Sequence, residues 1–158
     1  MVFHKCIWSH KSDEWITPTY IYQKLDSEFH FKLDPCTISS NPLNTSVFYT
    51  KEDNGLEKPW INPTFVNPPY GGGMQHVKWI DKAIKETKNG VTSVMLLPAR
   101  VDTKWFHEYL YDKNGIEIRF VNGRLKFRIP TTLEESDSAP FPSMLVIFHS
   151  VHDPRVNT

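Results

Sequence analysis

The chain has 158 residues, of which 39% are hydrophobic and 23% charged, the profile of one globular domain able to bury about 70% of its unfolded surface. Eighteen Lys+Arg balance eighteen Asp+Glu, so bulk charge cannot grip a polyanion, although a local basic patch can. Cys6 and Cys36 make no disulfide framework, and no apolar run is long enough for a bilayer span or a signal sequence; a soluble cytoplasmic chain without membrane attachment is the expectation.

Residues 1–14 are polar and read as a loosely ordered lead-in, 15–150 as one domain and 151–158 as a tail. Thr17-Pro18 reads as a helix start, with the hydroxyl as N-cap and proline at the first helical position. Tyr22, Leu25 and Phe29 then have the spacing of one buried helix face. Phe29, Phe31 and Leu33 alternate into Asp34-Pro35, a strand ending in a turn. A polar loop at 36–46 leads to a short strand at 46–49 and a turn at Asn54-Gly55. Thr64-Phe65-Val66 is a further strand, stopped by Asn67-Pro68-Pro69-Tyr70 and three glycines, which permit neither helix nor ladder.

The spacing of Val77, Ile80 and Ile84 predicts a helix over 74–88, closed by Asn89-Gly90. The nearly continuous apolar run at 91–97 is a strand covered on both faces. Asp102 is positioned to cap a helix carrying Trp105, Phe106, Tyr109 and Leu110. The strand at 116–121, Asn122-Gly123, and then Leu125, Phe127 and Ile129 read as a hairpin. After a Pro- and acid-rich loop at 130–142, residues 144–148 form a last strand.

Helices alternating with strands predict a single-domain α/β fold, its sheet mostly parallel with an antiparallel edge hairpin. Ligands bind such sheets beyond the carboxyl ends of the strands. Asp34 and Asn67 each lie just past a predicted strand, so their loops open onto one rim.

The tetrad Asn67-Pro68-Pro69-Tyr70 carries the chemistry. An amine conjugated to an aromatic ring is a poor nucleophile, because its lone pair is delocalised. A side-chain amide oxygen and a nearby backbone carbonyl can accept both its N–H groups and aim the lone pair at an electrophile. Successive prolines hold that carbonyl and donate nothing, and an aromatic ring next in line can stack on a base. Such a site works by preorganisation rather than through an ionisable base. The bland reading of the same residues is a proline-rich turn.

A resemblance emerges from the order of short motifs. Trp15-x-Thr17-Pro18, Leu33-Asp34-Pro35-Cys36, Asn54-Gly55-Leu56, Trp60 and Phe65-Val66-Asn67-Pro68-Pro69-Tyr70 are followed by Met95-Leu96-Leu97-Pro98-Ala99-Arg100, Asp102-Thr103-x-Trp105-Phe106 and Gly123-Arg124-Leu125-x-Phe127. Over residues 13–149 this series resembles the phage and prophage DNA adenine-N6 methyltransferases (Dam-like). The resemblance implies a Rossmann-like methyltransferase fold in a bacterial host. It implies S-adenosyl-L-methionine as donor, S-adenosyl-L-homocysteine as product, and DNA adenine flipped out of the duplex as acceptor. Asn67 and the Pro68 carbonyl would hold the N6 amine, Pro69 would stiffen the loop and Tyr70 would stack on the base. Trp15, Thr17 and Pro18 resemble the segment holding the donor's methionine end, and Asp34 with Cys36 the motif near its amino group. The usual glycine-rich turn is replaced by Cys36-Thr37-Ile38-Ser39-Ser40. Asp53, or Glu52, is placed to accept from the ribose hydroxyls, with a surface acidic turn as the alternative.

Arg124, Lys126 and Arg128 alternate with Leu125, Phe127 and Ile129, which puts three cations on one face of a strand and the apolar trio on the other. With Arg100 and Arg119 they make a candidate phosphate-binding strip, or else a solvated face. The same parity places Phe127 in the core. Trp60 and Trp105 are core or pocket-lining, and His4, Cys6 and His10 match no zinc spacing, so no metal is expected. Glycines 71–73 lack a following Lys-Ser/Thr and read as a loop closing over substrate rather than a phosphate cradle. With only the loops at 36–46 and 130–142 to read bases, a monomer or weak homodimer of short or relaxed specificity is expected. The rival readings are an RNA adenine or protein glutamine methyltransferase, or an inactive relative that binds DNA or protein.

Overall fold

The structure, a computed structural model, describes residues 15–70 and 74–156. The expectations for the lead-in, His4, Cys6, His10 and the three glycines lie outside these residues. The chain forms one six-stranded sheet. In sequence it runs α1 (Thr19–Phe29), β1 (Leu33–Asp34), β2 (Val47–Phe48), β3 (Thr64–Val66), α2 (Gln75–Thr87), β4 (Ser93–Pro98), a short π-helix (Phe106–Leu110), β5 (Ile116–Phe120), β6 (Ser143–Phe148) and a 3₁₀ turn (Pro154–Val156).

Across the sheet the order is β2-β1-β3-β4-β6-β5. The pairings of β1 with β2, β1 with β3 and β3 with β4 are parallel, whereas β6 is antiparallel to both β4 and β5. The predicted mostly parallel α/β sheet with an antiparallel edge is therefore the fold, but the edge is not the expected hairpin. Residues 116–120 pair with 144–148, and β6 inserts between β4 and β5. The stretch after Asn122-Gly123 joins no strand. Its strand-like pairing is limited to isolated bridges of Arg128 with Ile16 and Glu135, while the Leu125 and Phe127 carbonyls accept from Ala139 and Ser136.

Both faces of the sheet are covered, which is why its central strands read as unbroken apolar runs. Val66, Met95, Leu97, Met144, Val146 and Phe148 point to one face, where α2 brings Trp79, Ile80 and Ala83 and the π-helix brings Phe106 and Leu110. Phe65, Val94, Leu96, Leu145 and Ile147 point to the other, against Ile21, Tyr22 and Leu25 of α1 and against Leu125 and Phe127. Each fully buried side chain such as Phe65 or Ile80 contributes about 1.5–3 kcal/mol. The alternation of 124–129 thus reports which side chains face the core, not a partner strand.

The helix ends differ in detail from their sequence signals. Pro18, not Thr17, is the N-cap of α1, and no side chain caps it. The helix stops at His30, which turns left-handed and donates its N–H to the Asp26 carbonyl, while Phe31 donates to the Asp26 carboxylate at 2.8 Å. Before the π-helix the capping oxygen is Thr103 Oγ1, which accepts from Phe106 N–H at 3.4 Å, rather than Asp102. Among the described residues no helix is long and apolar enough to cross a membrane.

Candidate active site

Parallel pairing of β1 and β3 brings the turns after their carboxyl ends together. Asp34 closes β1 and Asn67 directly follows β3. In the first turn the Asp34 carboxylate accepts from Cys36 N–H at 3.3 Å across Pro35, which has no N–H of its own. Asp34 is buried, and desolvation pushes its carboxyl up to about 7, opposed only in part by hydrogen bonds from Cys36 and Thr37. Gly55 is packed onto this turn so closely that a Cβ there would lie 2.1 Å from the Pro35 carbonyl oxygen. Its own carbonyl accepts from the Trp60 indole at 2.9 Å. Asn54-Gly55 therefore presses on the back of the Asp34 turn, a role its turn signal did not disclose.

In the second turn Asn67 donates from Nδ2 to the Trp15 carbonyl at 2.7 Å. A carbonyl only accepts, so the amide's NH2 end must face Trp15 and its orientation is fixed. The Asn67 Oδ1 is consequently presented on the other side, shielded from water and without a hydrogen-bond partner among the described residues. Tyr70, next to Pro68 and Pro69, donates its hydroxyl to the Leu96 carbonyl on β4 at 2.9 Å. Its ring stands edge-on to Phe127 and Phe141, with centroids 5.9 and 5.7 Å away. Burial raises the hydroxyl well above its ordinary value, so it stays a donor. Phe141, hidden from sequence reading in a Pro-rich loop, is thus part of the frame holding the tetrad.

Trp15, Thr17, Pro18, Asp34, Cys36 and the tetrad are all drawn towards this rim. The link is Trp15, whose carbonyl orients Asn67, while Thr17 and Pro18 are buried at the head of α1. Asp53 acts locally. Its exposed carboxylate accepts from Thr50 N–H at 2.9 Å and from the Thr50 hydroxyl at 3.1 Å, and these bonds lower its pKa. Trp60 is core, stacked on Trp79 at 6.3 Å, and Trp105 is core against His76 at 4.6 Å. Burial lowers the pKa of the His76 ring.

The five cations meet different partners. Arg100 lies over Phe141 at 5.9 Å, Arg124 reaches the Ala139 carbonyl at 3.4 Å, and Lys126 is 3.9 Å from Glu135. Arg119, on the far edge strand, is bound bidentately by Glu28 at 2.7 and 2.9 Å and also by Glu117. Arg128 departs from the solvent face that its parity assigns. Backbone pairing with Ile16 draws it inward, and its Nε donates to the Thr17 carbonyl at 3.3 Å. Among the described residues no group of three or more His, Cys, Asp or Glu side chains is arranged around a metal position.

Comparison with known proteins identifies the family. The family described as DNA N-6-adenine-methyltransferase (Dam) matches residues 6–158. A DNA N-6-adenine-methyltransferase of Haemophilus phage HP1 (strain HP1c1) is 34% identical over 145 residues, covering 87% of this chain and 80% of the relative. One of Escherichia phage T1 is 31% identical over 116 residues, 72% of this chain but 46% of that protein. With the family matched across almost its entire length, the chain belongs to the DNA N-6-adenine-methyltransferase (Dam) family.

Proposed function

We propose that the chain transfers a methyl group from S-adenosyl-L-methionine to the N6 amine of adenine in DNA. The observation that carries this reading is the Asn67 Oδ1, an oriented and dry acceptor without a partner. A buried acceptor left unmet costs about 1–3 kcal/mol, and an incoming N–H would recover that. Asn67 Oδ1 and the Pro68 carbonyl take the amine's two N–H groups and draw its lone pair out of the ring. Tyr70, fixed by Leu96, is the stacking surface for the base. A base paired inside a duplex cannot reach such a pocket, so extrusion at a cost of a few kcal/mol accompanies binding.

Two features of the rim fit the donor. The buried Asp34 carboxylate has a single turn's hydrogen bonds and no cationic neighbour among the influences on its pKa, which suits an ammonium group. Gly55, having no side chain, lets its segment pack directly on the Pro35 carbonyl of the Asp34 turn. When bound, the donor supplies an electrophilic methyl on a sulfonium. The chain's residues orient the amine in line with it, and the amine proton leaves to water afterwards. Ionised Asp34 is the form that holds an ammonium, so donor affinity should rise with pH towards about 7 and then level off.

The test is a nucleoside digest of DNA incubated with the chain and labelled donor. Label in N6-methyladenine supports the proposal. Label in cytosine, or in RNA or protein glutamine but not in DNA, contradicts it.

A further inference from the structure

We propose that Arg128 receives the α-carboxylate at the methionine end of the methyl donor, and that it is not a DNA-phosphate contact. This rests on the donor reading above. The first observation is an unmatched cation. The Arg128 Nη2 is shielded from water and has no hydrogen-bond partner among the described residues. Its side-chain bond runs from Nε to the Thr17 carbonyl at 3.3 Å. Arginine stays charged in proteins, and burial alone lowers the pKa of this one, with no carboxylate acting on it. Arg119 is the contrast, because Glu28 and Glu117 raise its value. A guanidinium so placed awaits an anion that the described residues do not supply.

The second observation is where it waits. Ile16 spends both its N–H and its carbonyl on the Arg128 backbone, at 3.0 and 2.9 Å. In an extended segment the neighbouring carbonyls, of Trp15 and Thr17, then leave the opposite edge. Trp15 takes the Asn67 amide and Thr17 takes the Arg128 guanidinium. Two residues of extended chain separate those carbonyls by about 7 Å. One short segment therefore positions both an unmet acceptor, Asn67 Oδ1, and an unmet donor, Arg128 Nη2.

Arg128 is half-buried, but its Nη2 is shielded from water, which favours a small anion over a duplex backbone lying on the surface. In the proposed reaction the donor's α-carboxylate meets this requirement. A short aliphatic chain joins it to the sulfonium whose methyl must lie beside Asn67. Arg128 and Asp34 would then divide the zwitterion, the guanidinium taking the carboxylate and the aspartate the ammonium. Charge-assisted bonds of this kind are short and strong.

Calorimetry on the full chain tests the assignment with two ligands, S-adenosyl-L-homocysteine and 5′-methylthioadenosine, which keeps the adenosine and thioether but lacks the amino-acid end. Arg128→Met retains much of the aliphatic stem and removes the guanidinium, and Arg128→Lys retains the charge. In Arg128→Met, S-adenosyl-L-homocysteine should bind about 10- to 100-fold more weakly, as expected for one charged hydrogen-bonding group. Binding of 5′-methylthioadenosine should stay within about twofold, Arg128→Lys should recover part of the loss, and the salt dependence of DNA binding should not change. Equal losses for both ligands, or unchanged S-adenosyl-L-homocysteine affinity, would overturn the proposal, as would a salt slope reduced by about one phosphate with donor-product binding intact. If Arg128→Met shows no cooperative melting, the same two-ligand comparison is read on Arg128→Lys, with the same criteria. A wild-type chain that binds neither ligand would instead remove the donor reading itself.

Discussion

Two groups of polar side chains, one at the sheet edge and one at the rim, are treated in opposite ways. Along the β5–β6 edge, oppositely charged side chains meet in a connected set. Arg119 is held by Glu28 and Glu117, His149 lies 3.2 Å from both Glu117 and Asp153, and Arg155 reaches Asp153 at 2.7 Å. At the rim beyond β1 and β3, Asn67 Oδ1 and Arg128 Nη2 have no partner among the described residues, and Asp34 is buried without a cation among them to offset it. Native chains satisfy nearly all buried polar groups. A satisfied cluster therefore reads as scaffold, and an unsatisfied one as a place prepared for something absent.

The comparison breaks most sharply at Asn67. Asn67→Ala removes the acceptor while leaving the donor's contacts, so the methyl-transfer rate should fall by a factor on the order of 10²–10³ or more. Affinity for S-adenosyl-L-homocysteine should stay within a few fold, as single-turnover kinetics and calorimetry would determine. A similar loss of both would mean that Asn67 supports the rim rather than the acceptor amine.

Asp34 sharpens the contrast through pH. Its folded-state carboxyl is raised from 3.8 to about 7. Between those values the folded chain keeps a proton that the unfolded chain has released, so this group lowers stability progressively as pH climbs, and then no further. The scale is on the order of a few kcal/mol. Asp34→Asn should lack that slope and melt higher than wild type at pH 8 without ligand, while binding donor more weakly. Parallel melting profiles from pH 4 to 8 would contradict the assignment.

Gly55→Ala should cost about 1–3 kcal/mol, because the new methyl must displace the Asp34 turn from 2.1 Å. Thermal melting measures it, and an unshifted midpoint would show that the turn yields freely. The smallest effect is expected at Arg119, whose ion pairs are about one-third exposed or more. Arg119→Ala should lower stability by about 0.2–1 kcal/mol and leave DNA affinity unaltered. A clear loss of DNA binding would move the nucleic-acid surface to the edge strand.

Much of this is legible in the chain because burial leaves a periodic trace. The strands at 64–66 and 93–98 and the helix at 75–87 follow from apolar runs and spacing, and the tetrad is marked by two prolines that offer carbonyls and no N–H. Periodicity names the buried face of a segment and is silent about its neighbour. Leu125 and Phe127 are buried as their parity requires, yet the stretch pairs with Ile16 and Glu135 instead of β5. Arg128 escapes its parity for the same reason, since one bridge to Ile16 turns a surface cation towards the site. Gly55 and Phe141 act by tertiary approach to Pro35 and Tyr70, a relation that local sequence does not encode.

The central claim concerns one oxygen, and a crystal structure with S-adenosyl-L-homocysteine and an adenine-containing oligonucleotide addresses it most directly. The account predicts an extruded adenine against Tyr70, its N6 about 3 Å from Asn67 Oδ1, with the product sulfur in line behind the amine. An Asn67 amide turned away from the product sulfur, with no space for a purine between them, would contradict it.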